Sequence, residues 1–78
     1  MKAINFISTF QHYDDEESGI KPYTIRRHTE RLKKLMVGRT HLKIHRAYTS
    51  RDFIRKITHT LIWDGWVIFA WNPNKVLQ

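Results

Sequence analysis

Two runs of strand-forming residues meet at Asp64-Gly65, and this dipeptide limits what the chain can become more than any other feature. Asp-Gly between Trp63 and Trp66 signals a two-residue β-hairpin, because the tight turn that matches strand twist needs positive φ at both central residues. The segment from Phe53 to Trp63, rich in Ile, Thr and aromatics, reads as one long strand, and Trp66 to Trp71 reads as the returning one. Asn72-Pro73-Asn74 ends it, and residues 73–78 read as a loose tail. With 78 residues, the chain is expected to form a single domain that buries about 60% of its unfolded surface.

The chain contains no cysteine, so disulfides and thiolate metal sites are excluded, and a reducing cytoplasm is the expected setting. No apolar run approaches the roughly 18 residues that a membrane span requires. Met1 to Phe6 lacks the long apolar core and small-residue cleavage site of a signal peptide, and none is expected. Lysine and arginine number 14 against 7 acids, for a formal charge of +7. Four of the acids stand together at Asp14, Asp15, Glu16 and Glu17. From residue 18 onward there are 13 basic residues against 3 acids, a local excess of ten. A balance of this kind favours a polyanionic partner, with nucleic acid foremost, and the aromatics interleaved with the cations suit base stacking.

Further local readings place the motifs. Residues 2–6 suit a first strand, and apolar positions at Ile7, Phe10 and Tyr13 suit a short helix capped by Ser8 or Thr9. Acids at the C-terminal end of a helix oppose its dipole, so this helix is expected to stop early and leave Asp14–Ser18 as a loop. Pro22 forces Lys21 out of helical conformation, and Tyr23, Thr24 and Ile25 form a strand that places Thr24 and Arg26 on one face. Lys21 can meet Thr24 only from the loop before that strand. Residues 28–37 read as a basic helix with Thr29 as cap and Gly38 as stop, and residues 40–47 as a half-buried strand. The expected architecture is a small, mostly antiparallel α+β protein of about five strands and one or two short helices, its sheet closing into a small barrel that removes exposed edges.

Met1-Lys2-Ala3-Ile4-Asn5-Phe6, followed by Gly19-Ile20-Lys21-Pro22-Tyr23-Thr24-Ile25-Arg26 and by Gly38 ahead of Leu42 and Ile44, resembles the ASCH family of PUA-like β-barrels across roughly residues 1–62. The resemblance implies an RNA-related role. One small branch of the family hydrolyses acetylated cytidine, with the motif lysine activating the motif threonine and a glutamate farther along assisting. Carried over, Lys21 is the base and Thr24 the nucleophile. No glutamate follows Glu30 in this chain, and only Asp52 and Asp64 lie beyond it, so whether the chain is an enzyme stays open.

The function expected first is binding of RNA or a nucleoside in a pocket around Lys21, Thr24 and Arg26. Arg26, Arg27, Arg31, Arg46, Arg51, Arg55 and Lys56 would supply phosphate contacts, and Trp66 an exposed stacking platform. At least two of Trp63, Trp66 and Trp71 are expected in the core. The alternatives are an amidohydrolase acting on a modified nucleoside through Lys21 and Thr24, favoured by an acid such as Asp52 near Thr24, and a small phage-type or regulatory protein that binds and inhibits a host protein or a nucleoprotein complex. An apolar patch of Trp66, Phe69 and Trp71 would favour the latter. The five histidines lack the cysteine or carboxylate partners of a metal site, and neither a metal nor a cofactor is expected.

Overall fold

The computed structural model describes residues 2–72. The sequence-predicted tail at 73–78 lies outside them. The chain runs β1 (Ala3–Ser8), α1 (Phe10–Ser18), β2 (Tyr23–Arg27), α2 (Glu30–Met36), β3 (His41–Arg46), β4 (Asp52–Lys56), β5 (His59–Trp63) and β6 (Trp66–Ala70). It is a small α+β fold with mostly antiparallel pairing. One three-stranded sheet has the order β1-β3-β4 and the other β2-β6-β5. β1 and β3 pair in parallel, Ile4 opposite Leu42 and Phe6 opposite Ile44, with α1, β2 and α2 as the intervening crossover. The remaining pairs are antiparallel.

Among the described residues there are six strands in two sheets, and the ladder does not close into a barrel. The expected long strand from Phe53 to Trp63 divides at Ile57-Thr58. Ile57 donates its N–H to Thr40 and Thr58 donates to Ala70, so successive residues bond to different sheets. Size explains the break. Eleven extended residues would reach about 36 Å, beyond the 28 Å longest dimension of the molecule. Splitting the strand lets one run of β-formers serve both sheets.

The α1 helix also departs from expectation, since it runs through all four acids to Ser18. The opposing dipole is compensated from outside the helix. The Arg55 guanidinium donates to the Glu17 carbonyl at 3.1 Å, satisfying one of the last carbonyls of the helix. Arg46 holds Asp14 at 3.1 Å and Arg51 holds Glu17 at 2.7 Å. Gly19 then takes the left-handed conformation (φ 89°) that ends the helix. Thr9 occupies the N-cap without a side-chain hydrogen bond, and Ser8 is the last residue of β1, bonded elsewhere. The α2 helix follows its sequence signals: the Thr29 hydroxyl accepts from the Leu32 N–H at 3.1 Å.

The core lies between the sheets and comprises Ile4, Leu42, Ile44, Phe53, Val67, Phe69 and Trp71, with Tyr13 and Leu32 sealing it from the helices. Tyr13 and Trp71 both meet Phe53 edge-on, with centroids 5.2 and 6.1 Å away. Only one of the three tryptophans, Trp71, is buried, whereas Trp63 and Trp66 are exposed. The reason is strand parity. Trp63 and Trp66 are directly paired across the hairpin on the face turned away from the core, while Phe69 and Val67 point inward. The turn itself has φ of 49° at Asp64 and 80° at Gly65, the positive pair that the dipeptide called for.

Candidate functional site

The motif strand β2 and β1 belong to different sheets and are joined through a side chain. Arg26 donates from one guanidinium nitrogen to the Ile7 carbonyl (3.0 Å) and from another to the Ser8 hydroxyl (2.8 Å). Its Nε donates to Thr24 Oγ1 at 3.1 Å, an i, i+2 contact made possible because both project from one face of the strand. The Phe6 ring lies beneath the guanidinium, 4.5 Å from its carbon. Burial pushes the Arg26 pKa below its ordinary value, and the nearby Glu16 carboxylate opposes that push.

Glu16 completes the group. It projects from α1 and is only 1% exposed. One carboxylate oxygen accepts from the Ser8 hydroxyl at 2.8 Å, and the other from the Lys21 ammonium at 3.4 Å. Lys21 also lies 3.5 Å from His12 Nδ1 and 5.5 Å from the centre of the Tyr23 ring. As the sequence required, Lys21 stands in the loop before β2, held there by its own N–H bonding to the Asp15 carbonyl. These groups line one open cleft of about 400 Å³, with Ser8, Glu16 and Thr24 buried at its floor and His12, Ile25 and Trp66 at its rim. Its size falls in the range of small-molecule sites.

The structure therefore brings Lys21, Thr24 and Arg26 together and adds Ser8, His12 and Glu16, which the sequence reading did not single out. Glu16 was hidden in a run of four acids. Its signal was its position three residues after Tyr13, which gives both residues the same inward helix face. Asp52 is not part of this group. It pairs with Lys43 at 3.7 Å and lines a separate groove with Asn5 and His45.

The other basic residues divide in two. Arg46 and Arg51 are ion-paired to the acids of α1, and Arg55 is buried against Phe53 while it caps that helix. Arg27, Arg31 and Lys56 are exposed and enter no ion pair among the described residues. Arg27 stacks 5.0 Å over the Trp66 ring. A patch of Trp66, Phe69 and Trp71 does not form, because Phe69 and Trp71 belong to the core. In its place Ile25, Trp63, Trp66 and Ile68 form an apolar groove on the outer face of the β2-β6-β5 sheet. Among the described residues, no cluster of three or more His, Cys, Asp or Glu side chains could hold a metal ion. No helix among them is long and apolar enough to cross a membrane.

No family model matches the sequence, and no curated protein matches it.

Proposed function

We propose that the chain is a cytoplasmic RNA-binding domain of ASCH type that takes an unstacked nucleoside into the Lys21–Thr24–Arg26 cleft. The observation that carries this reading is the cleft floor. It presents a buried hydroxyl and a buried carboxylate flanked by two cations, beneath a half-exposed tryptophan. Hydrogen-bonding groups fixed at the bottom of a pocket suit the polar edge of a base, and Trp66 at the rim offers a stacking surface. Arg27, stacked over Trp66, and exposed Arg31 enter no ion pair among the described residues and are available to phosphates.

The test is binding of a labelled single-stranded RNA oligomer to wild type, Thr24→Val and the double variant Arg27→Ala/Arg31→Ala across a salt series. The expected result is affinity that falls steeply with salt, a shallower slope for the arginine variant, and weakened binding without a slope change for Thr24→Val. No binding at low salt overturns the reading.

A second reading, hydrolysis of an acylated nucleoside, draws on Glu16. An acid missing from the downstream sequence is supplied from upstream, 3.4 Å from Lys21 and in the same cleft as Thr24. There Lys21, its extra proton passed to Glu16, would accept the Thr24 proton as the hydroxyl attacks the acyl carbon; that proton would go to the departing cytosine amine as the C–N bond breaks, and water would then release the acid from the Thr24 ester. Turnover of acetylated cytidine that is abolished by both Lys21→Ala and Thr24→Ala would establish it, and absence of turnover by wild type would exclude it.

A further inference from the structure

We infer that two copies of this chain pair through β5, edge to edge and antiparallel, about a two-fold axis at Leu61. β5 pairs with β6 on one side, and no strand among the described residues pairs with its other side. All five of its residues, His59-Thr60-Leu61-Ile62-Trp63, are exposed. Leu61 and Trp63 project from the outer face, and Ile62, still 52% exposed, projects from the inner one. A ligand laid on the outer face would cover Leu61 and Trp63 and leave Ile62 in water. An added strand covers both faces at once and satisfies the main chain as well.

The hydrogen-bond phase of the hairpin defines that main-chain edge. The N–H groups of His28 and Trp71 bond to Gly65 and Pro22, which sets the odd-numbered residues of β6 toward β2 and the even-numbered ones toward β5. His59, Leu61 and Trp63 therefore bond to β6, and Thr60 and Ile62 turn their N–H and C=O groups to the open edge. In an antiparallel self-pair centred on Leu61, Thr60 of one copy faces Ile62 of the other, and both sets of outward groups are satisfied reciprocally. Leu61 meets Leu61, and the apolar row Ile25, Ile68, Leu61 continues across the axis into its mirror set.

Charge selects a second copy as the occupant. Proteins protect open edges with lysine, proline or a bulge. The opposite end of the fold does so: β4 carries Asp52, Arg55 and Lys56. β5 carries no lysine, arginine, acid or proline. In a chain of net charge +7, it is an edge where two identical molecules can meet without setting cation against cation. Their overall like charge still opposes approach at low salt, so this association strengthens as salt rises. RNA binding has the opposite dependence, and the two proposals stand or fall separately.

The test is analytical ultracentrifugation of the full chain across protein concentration, at low and high salt, for wild type, Thr60→Pro and Ile62→Lys. Thr60→Pro removes an N–H that faces the open edge and leaves the β6 ladder intact. Ile62→Lys places like charges near the axis. Wild type is expected to rise with concentration from the 9.5 kDa monomer toward twice that mass, more readily at high salt. Thr60→Pro, which deletes one hydrogen bond per copy, is expected to shift the midpoint by about tenfold or more. Far-UV circular dichroism checks folding, and if the proline variant unfolds, Ile62→Lys at its exposed position decides alone. A wild type that stays monomeric at every concentration overturns the inference, as does a dimer that weakens with salt or that folded variants leave unchanged.

Discussion

Replacing Glu16 by glutamine tests whether the cleft is held together by charge. The side chain keeps its shape, and its carbonyl oxygen can still accept from Ser8, now 2.8 Å away. What disappears is the attraction to the Lys21 ammonium at 3.4 Å. At an effective dielectric of about 20, unit charges at that separation attract by about 5 kcal/mol. Lys21 is 22% exposed and can turn to water, and a neutral amide no longer suffers the cost of burying a carboxylate. These terms cancel more than half of the attraction and leave a net loss of about 2 kcal/mol. For 78 residues an unfolding entropy of about 2.1 cal/mol/K per residue makes each kcal/mol worth about 6 °C. Thermal unfolding at neutral pH is therefore expected to move down by about 12 °C. In a Lys21→Met background, where the carboxylate has already lost that partner, the same substitution should cost nothing or stabilise, the difference being the coupling energy. A fall of under about 3 °C, or equal costs in both backgrounds, refutes the argument and reduces the cluster to a set of independent contacts.

Arg55→Met keeps an apolar stem beside Phe53 but removes the bond to the Glu17 carbonyl. About 1–2 kcal/mol of stability should go with it, together with helical signal at 222 nm. Thr29→Ala removes the hydroxyl that caps α2 and should cost about 1 kcal/mol, measured by urea unfolding with an unchanged m-value. Tyr13 is buried and donates its hydroxyl to Glu17; burial first and Glu17 second raise its phenol pKa to about 12. Because the unfolded phenol ionises near 10, the contribution of Tyr13 to stability is complete below that pH and is lost as pH rises toward 12. Ultraviolet titration should show a phenolic step near pH 12 that disappears in Tyr13→Phe, and the absence of such a step would contradict the burial.

What could be read from the sequence was what local chemistry decides. The Asp64-Gly65 turn, the Thr29 cap and the shared face of Thr24 and Arg26 each depend on a few adjacent residues, and each is present as expected. The continuation of α1 through its acids was not legible. The arginines that neutralise those acids lie 32 and 34 positions downstream, and the guanidinium that caps the helix lies 38 positions away. The break at Ile57-Thr58 was hidden for another reason: propensity is continuous across it, and only the size of the folded molecule interrupts the strand. The site shows the same division. Lys21, Thr24 and Arg26 form a local motif, whereas Ser8 and Glu16 join it because β1 and α1 turn their inward positions toward it.

The charge distribution gains a physical meaning from this arrangement. The acidic run joins α1 to the rest of the fold, through Arg46 and Arg51 on one side and through Lys21 beside the cleft. These pairs engage three of the basic side chains within the molecule and leave the excess of seven unpaired. Arg27, Arg31, Lys33 and Lys34 remain outside every ion pair of the described residues, and they follow one another along β2 and α2. Field from unneutralised cations concentrates there, and Arg27 brings it to Trp66 at the rim of the cleft. The β5 edge, by contrast, carries no formal charge. A polyanion approaching at long range is thus drawn toward β2 and α2, while an uncharged strand meets no such opposition at β5.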